Sequence, residues 1–114
     1  MSTPVIFVAK SKSGKKIRLT KTIWFHKILK RHPELGAREE YVEQVKRTLE
    51  DPDYIVSGWF GEYLALRFCE IAPKGPKYLC VVYRELNDEG FIITAFFISN
   101  LRKLLRRGVL WRKR

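Results

Sequence analysis

The sequence has few of the residues on which several classes of protein depend. It contains only two cysteines, Cys69 and Cys80, in 114 residues, which are too few for a disulfide scaffold. No apolar run approaches the roughly 20 residues of a membrane-spanning helix, and residues 1–4 do not begin a secretory signal. We therefore expect a single domain over residues 1–114 that works in the reducing cytoplasm and crosses no membrane.

Acidic residues are missing from two stretches of the chain. The whole sequence carries 23 Lys+Arg against 12 Asp+Glu, a net charge of +11. Residues 10–31 hold nine basic residues and residues 102–114 hold seven, and neither stretch contains an acid. Such blocks attract polyanions, of which nucleic-acid backbones are the commonest. The charge therefore predicts RNA, or DNA, as a partner; the alternative is that the blocks only keep the protein soluble.

The periodicity of the apolar residues predicts an α+β fold, with two N-terminal helices packed on an antiparallel four-stranded meander. The first helix covers residues 23–32, with Thr22 as its N-cap and Pro33 as its end, and the second covers residues 37–50. The meander strands are residues 54–58, 62–71, 77–85 and 90–98. Outside this unit, residues 1–20 form an extra basic hairpin. Residues 99–114 form a basic tail, with a helix over 100–107 and then an arm or an edge strand.

A tight turn at Lys74 and Gly75 would fix the register of the second and third meander strands. With that turn, Arg67 opposes Val82, and Arg67 and Arg84 lie close together on the open face of the sheet. Two guanidinium groups this close repel each other unless an anion lies between them, which indicates a phosphate site. The alternative is that each arginine reaches into solvent.

The placement of Thr94 depends on the next turn, which joins the third and fourth meander strands. Thr94 shares the arginine face if it opposes Val82, and lies in the core if the pairing shifts by one residue.

Cys69 opposes Cys80 in the register set by the tight turn, so the pair could form a disulfide or simply pack. A zinc site that adds His26 and His32 has spacings typical of no known zinc motif. Packing is the favoured interpretation, and we expect no metal and no cofactor.

Short motifs, taken in chain order, resemble a known group of nucleases. They are WFHKILKRHPEL at 24–35, YVEQV at 41–45, TLEDPD at 48–53, YLCVV at 78–82 and GFIITAF at 90–96. Their order resembles the phage and mobile-element branch of the barnase–EndoU–colicin–RelE-like (BECR) nucleases, over residues 20–98. The resemblance implies an endoribonuclease of toxin or phage type that needs no metal and leaves a 2′,3′-cyclic phosphate. A toxin would also need an acidic inhibitor protein as a partner.

The resemblance implies site residues as well. The helix histidine of the family matches His26 and the threonine of the last strand matches Thr94, while His32 and Arg67 are looser matches. In RNA cleavage the 2′-hydroxyl is the nucleophile, so the protein supplies a proton acceptor and groups that stabilise the charged phosphate. His26 fits the first role, and Arg67, Arg84 and Thr94 fit the second. The hypothesis requires these side chains to converge on one anion-sized hollow.

Other residues are candidates for contact with nucleic acid. Trp59, Tyr63 and Tyr83 could stack on bases, although aromatic residues on strands lie mostly in cores. The predicted basic contacts are Lys15, Lys16, Arg18, Lys27, Lys30, Arg31, Arg106 and Arg107.

Several alternatives stay open at this stage. His26 could be an ordinary solvent-exposed helix residue, and His32 a helix C-cap. The protein could be a non-catalytic RNA- or DNA-binding module of the same fold. It could also be a basic protein that binds a membrane surface or a ribosome through residues 99–114.

Overall fold

The computed structural model describes residues 4–114, and within that range it contains seven strands and three helices. In chain order, the strands are β1 Val5–Lys10, β2 Lys16–Thr20, β3 Tyr54–Ser57, β4 Tyr63–Cys69, β5 Lys77–Glu85, β6 Glu89–Ile98 and β7 Val109–Arg112. The helices are α1 (residues 21–31), α2 Glu40–Glu50 and α3 Leu101–Leu105, with a 3₁₀ turn at Pro33–Gly36. In the described part of the chain, no helix is long and apolar enough to cross a membrane.

The strands form one sheet in the order β1-β2-β6-β5-β4-β3-β7. β2 runs parallel to β6, and the other neighbouring strands are antiparallel. The α+β class is confirmed, but the predicted four-stranded meander is not matched in detail, because the hairpin and the tail join it in one sheet of seven strands. In a four-stranded meander, the outer edges of β6 and β3 would carry unpaired backbone groups. Here β2 of the N-terminal hairpin pairs with β6, and β7 of the tail pairs with β3, so both extend the sheet. The tail strand is therefore an edge strand and not a free arm.

Helix α1 is irregular. The Thr20 hydroxyl accepts a hydrogen bond of 3.2 Å from the backbone N–H of Ile23, so the N-cap is Thr20 and the prediction of Thr22 is wrong. The middle of the helix, Trp24–Ile28, is a π-helical turn, in which the N–H of Leu29 bonds to the carbonyl of Trp24. The helix ends before Pro33, as predicted, because the residue preceding a proline is disfavoured in helical geometry.

One face of the sheet, called the core face below, carries the larger apolar core. Helices α1 and α2 pack on it through Trp24, Ile28, Tyr41, Val45 and Leu49, which are all at most 4% exposed. Strand residues that alternate along β2, β4, β5 and β6 supply the other half of this core. They are Ile17, Leu19, Ala65, Cys69, Leu79, Val81, Tyr83, Ile92 and Ala95.

The opposite face is covered only in part. Helix α3 packs there through Leu101, Leu104 and Leu105, against a smaller cluster that contains Leu66 and Cys80. Beyond this helix the residues on this face of the sheet are half-buried or exposed. We call that surface the open face and define it by Arg18, Arg84, Phe91 and Thr94.

The register of β4 and β5 differs from the prediction. Arg67 opposes Leu79 and not Val82, because the connection between the strands is a seven-residue loop over residues 70–76 and not a tight turn. This loop is folded onto the core: Ala72 is 7% exposed, and the Tyr41 hydroxyl donates a hydrogen bond of 2.6 Å to the carbonyl of Ile71. The predicted proximity of Arg67 and Arg84 is therefore wrong, since the two side chains lie on opposite faces.

The same register separates the two cysteines. Cys69 lies in the core-face cluster and opposes Lys77, whereas Cys80 lies in the cluster under α3 and opposes Leu66. With the sheet between them, the two thiols can share neither a disulfide nor a zinc ion. Burial raises the pKa of both thiols, which makes them poor nucleophiles. Packing, the favoured interpretation, agrees with both positions.

Candidate active site and nucleic-acid interface

A bulge in β6 determines which side chains share the open face. Thr94 opposes Val82, but Ile92 opposes Tyr83, so Ile93 is an extra residue without a counterpart on β5. Phe91 and Thr94 are three residues apart and would lie on opposite faces of a regular strand. The extra residue turns both toward the open face, as bulges near functional sites often do. This confirms the pairing that places Thr94 on the face of Arg84.

Two arginines flank an aromatic ring across three adjacent strands. Arg18 on β2 pairs with Phe91 on β6, and Phe91 pairs with Arg84 on β5. Neighbouring strands are about 4.8 Å apart, so the two arginine backbones are separated by about 10 Å with the ring between them. Phe91 is 36% exposed. The row therefore presents two cationic side chains on either side of a flat apolar surface.

Each of these arginines already has one carboxylate nearby. The guanidinium of Arg18 is 2.8 Å from Glu89, and that of Arg84 is 3.9 Å from Glu62. Both arginine side chains are more than a third exposed, at 38% and 36%. The Arg18–Glu89 pair is exposed on both sides and is therefore weak. The 3.9 Å between Arg84 and Glu62 is too long for a hydrogen bond, so a phosphate group can compete for both guanidinium groups.

The turn between β3 and β4 projects two aromatic side chains beside Arg84. Trp59 is 76% exposed and Phe60 is 79% exposed, which is unusual for side chains of this size. Arg84 donates a hydrogen bond of 2.8 Å to the carbonyl of Phe60, and the guanidinium of Arg107 lies 4.2 Å from the centre of the Trp59 ring. The turn is thus contacted by two cationic side chains, and most of the surface of its two aromatic side chains is exposed to solvent.

His32 packs on the same side of the sheet as Thr94. Its ring packs against Phe96, with ring centres 5.5 Å apart, and Phe96 belongs to the cluster on the face of α3. Phe96 follows Thr94 by two residues, so the two side chains share a face at a spacing of about 7 Å. The imidazole is half-buried at the border of the open face.

The other predicted catalytic residues are placed differently. His26 is exposed in the π-helical turn, on the side of α1 away from the buried Trp24 and Ile28. Arg67 is on the core face and donates hydrogen bonds of 2.6 Å and 3.0 Å to the carbonyl and carboxylate of Asp51. The predicted convergence of both arginines on one hollow is therefore wrong for Arg67, which ties β4 to the end of α2.

The predicted basic contacts do not form one cluster. Lys16 and Arg18 lie on β2, where Lys16 is exposed. Arg106 and Arg107 follow α3 on the other side of the open face. The side chain of Lys15 bonds to the carbonyl of Leu86. Helix α1 carries the remaining three, Lys27, Lys30 and Arg31, of which the last two are exposed.

Reasoning from the sequence missed two aromatic residues of this surface. Phe91 lies in a segment whose apolar composition predicts burial on both faces, and its exposure follows from the bulge after it. Phe60 stands next to Trp59 in a short segment bounded by Gly58 and Gly61, and two adjacent aromatic residues between turn-forming glycines are a signal that was available. Tyr83, one of the predicted stacking residues, is only 3% exposed and lies on the core face.

Comparison with known proteins agrees with the motifs. The family model described as phage-Barnase-EndoU-ColicinE5/D-RelE like nuclease2 matches residues 2–112. No curated protein and no solved structure matches the chain. The matched range includes the hairpin and most of the tail, which were expected to lie outside the family pattern. Because the family model covers nearly the whole chain, this protein belongs to the phage-Barnase-EndoU-ColicinE5/D-RelE like nucleases.

Proposed function

We propose that this nuclease is an endoribonuclease that cleaves RNA on the open face of its sheet, without a metal ion, and leaves a 2′,3′-cyclic phosphate. The observation that supports the proposal is the β6 bulge: Thr94 opposes Val82 and shares the open face with Arg84, and His32 packs on Phe96 on the same side of the sheet. These are the parts that attack by the 2′-hydroxyl requires. The nuclease family of the chain supports the general activity, and the net positive charge supports a polyanionic substrate.

Each side chain has one role in this mechanism. The 2′-oxygen forms a new bond to phosphorus while its proton passes to the imidazole of His32, a group suited to proton transfer near neutral pH. The bond to the 5′-oxygen breaks as that oxygen takes a proton from water. Arg84 and the Thr94 hydroxyl donate hydrogen bonds to the phosphate oxygens, whose negative charge increases in the transition state.

The exposed aromatic side chains favour single-stranded RNA. Trp59, Phe60 and Phe91 are close to Arg84 or flank it, and unpaired bases stack on such rings without regard to sequence. Bases inside a duplex are already stacked and offer no free ring face. We therefore propose that an unpaired nucleotide rests on these rings while its phosphate contacts the arginines.

An inhibitor remains part of this proposal. A cytoplasmic enzyme of this kind would endanger the RNA of its own cell. An acidic protein that covers Arg18 and Arg84 would block the site by charge complementarity. The basic composition and the exposed arginines support such a partner.

The test compares the two histidines on one labelled RNA in the presence of EDTA. We expect His32→Ala to reduce the cleavage rate by about 10²–10⁴-fold, the usual contribution of general acid–base catalysis. We expect His26→Ala to keep most of the activity, because its ring lies on the outer side of α1. Mass spectrometry of the products should find 2′,3′-cyclic phosphate ends, and DNA of the same sequence should stay intact because it lacks the 2′-hydroxyl.

Three outcomes contradict parts of this proposal. Loss of activity in His26→Ala alone would return the catalytic role to the histidine that the sequence favoured. Cleavage of the DNA would exclude attack by a 2′-hydroxyl. RNA binding without cleavage by the wild type, with or without EDTA, would leave the non-catalytic RNA-binding alternative.

A further inference from the structure

A cavity of about 370 Å³ lies on the core face of the sheet, on the side opposite the open face. Its floor is formed by Tyr63 and Tyr83, which belong to the core-face cluster or pack against it. The turn between β1 and β2 forms one wall with Lys12, and β7 forms another with Trp111. The volume falls in the range of about 300–1,000 Å³ that is usual for small-molecule sites.

The walls of this cavity suit a planar ligand. The rings of Tyr63 and Tyr83 are 5.6 Å apart and inclined by 35°. The Trp111 side chain is half-buried at the rim, and the ammonium group of Lys12 lies 4.8 Å from the centre of its ring. Tyr63 and Trp111 are half-buried and offer stacking surfaces to a heterocyclic ring, while the buried ring of Tyr83 closes the floor beneath them.

A fixed carboxylate adds a polar contact. Glu85 lines the cavity, and the hydroxyl groups of Ser11 and Ser13 both donate to its Oε2. These two hydrogen bonds orient the side chain and leave Oε1 as an acceptor. Because a carboxylate only accepts hydrogen bonds, a ligand that pairs with it must present an N–H or O–H donor.

We propose that this cavity binds a nucleotide, with its base among Tyr63, Tyr83 and Trp111 and a base N–H donated to Glu85. The ammonium group of Lys12 at the rim then meets the phosphate. The nucleotide is either a free mononucleotide or one residue of an RNA strand that extends around the edge of the sheet. The inference does not depend on cleavage at the open face, since the contacts require only binding.

The test measures the affinity of the protein for the four ribonucleoside 5′-monophosphates by isothermal titration calorimetry, with ribose 5-phosphate as the ligand that lacks a base. We expect at least one mononucleotide to bind and ribose 5-phosphate to bind at least tenfold more weakly. Trp111→Ala should weaken mononucleotide binding by about 5- to 150-fold, the equivalent of losing one base–aromatic stack. Trp111→Phe should restore most of the affinity.

The carboxylate is tested with a matched pair of variants. Glu85→Gln should weaken binding of the preferred mononucleotide about tenfold, whereas Glu43→Gln, which removes an exposed carboxylate on α2, should not change it. Thermal melting of each variant checks that the fold is intact. No binding of any mononucleotide, or equal binding of ribose 5-phosphate, would overturn the proposal, as would equal effects of Glu85→Gln and Glu43→Gln.

A second arm distinguishes the two sources of the nucleotide. A 2′-O-methyl RNA decamer, which cannot be cleaved by 2′-hydroxyl attack, is titrated into wild type and Trp111→Ala. A similar loss of affinity for decamer and mononucleotide assigns the cavity to the RNA strand. A loss for the mononucleotide alone assigns it to a free nucleotide. Loss of RNA cleavage in His32→Ala with unchanged mononucleotide binding would show that the cavity and the open face act separately.

Discussion

The two faces of the central sheet come from the same strands and yet have different surfaces. On the core face, helices α1 and α2 cover alternate residues of β2, β5 and β6, and side chains such as Ile17 and Val81 are fully buried. On the other face, the five-residue helix α3 covers only the area around Leu66 and Cys80. The residues next to Ile17 and Ile92 in the chain, Arg18 and Phe91, are therefore exposed.

The core face provides most of the stability, whereas the open face carries the residues proposed to act on RNA. Burial of apolar side chains provides most of the folding free energy, and it is concentrated on the core face. The open face contributes little burial, so cationic and aromatic side chains are tolerated there for contact with a ligand. Arg67 and Arg84 allow the two faces to be compared directly. They carry the same guanidinium group on neighbouring strands, but their side chains lie on opposite faces of the sheet.

Substitution of each of these two arginines by alanine gives the largest expected difference, which is a difference in RNA cleavage rate. Arg84→Ala should reduce RNA cleavage by about 10²–10³-fold, as removal of one donor to a charged transition state usually does. Arg67→Ala should leave cleavage close to wild type and lower the free energy of unfolding by about 1–3 kcal/mol, because the Asp51 carbonyl and carboxylate lose a charged donor. Initial rates on labelled RNA and urea unfolding measure the two effects.

Arg84→Lys sharpens this test. It keeps the positive charge but loses the planar fork that bonds two phosphate oxygens at once. An activity between those of the wild type and Arg84→Ala is the expected result. Equal losses of cleavage in Arg67→Ala and Arg84→Ala would remove the distinction between the two faces.

A smaller effect is expected at Gly90, where β6 passes between β2 and β5. A Cβ atom at this position would lie 2.0 Å from the carbonyl oxygen of Arg84 and 2.9 Å from Ile17. Backbone cannot move aside as a side-chain end can, so Gly90→Ala should lower the free energy of unfolding by about 1–3 kcal/mol. Gly36→Ala is the control, since its Cβ would meet only the flexible end of Leu29 at 3.2 Å. Equal urea midpoints for the two variants would contradict the prediction.

The smallest effect concerns Asp51, which joins the core-face arginine to the tail. A hydrogen bond from Lys113, together with Arg67, holds the pKa of the Asp51 carboxyl below its ordinary value. Because this pKa is lower in the folded protein than in the unfolded chain, the ionised carboxylate stabilises the fold above the unfolded-state pKa of about 4. This stabilisation is lost as the pH falls below that value. Asp51→Asn should therefore lower the free energy of unfolding by less than about 1 kcal/mol at pH 7, since the Asp51 side chain is 49% exposed.

The pH dependence of this small effect distinguishes it from a general loss of packing. The difference in urea midpoint between wild type and Asp51→Asn should shrink at pH 3, where the carboxyl begins to take up its proton. Asp88→Asn, at an exposed position between β5 and β6, serves as the control and should show no such trend. A difference that stays constant from pH 7 to pH 3 would show that the ion pairs do not stabilise the tail.

Local signals in the sequence predicted most of the elements. The bounds of β5 agree with its predicted range, and β6 begins one residue before its predicted start, because alternating apolar residues between turn-forming residues specify a strand locally. Pro33 ends α1, and Gly108, with a φ of 119°, ends the helical stretch of the tail. The motifs around His32 and Thr94 also indicated the nuclease family before any geometry was known.

The sequence by itself determined where strands and helices form, the charge of the surface and the family of the chain, since these follow from neighbouring residues and composition. Only the tertiary structure decided which side chains meet. The contacts of Ile71 and Ala72 with the core, including the hydrogen bond from Tyr41, accompany the register that separates Arg67 from Arg84. The extra residue Ile93 turns Thr94 to the open face. Both outcomes depend on contacts between residues far apart in the chain, and a shift of one position in strand pairing reverses the face of every side chain that follows.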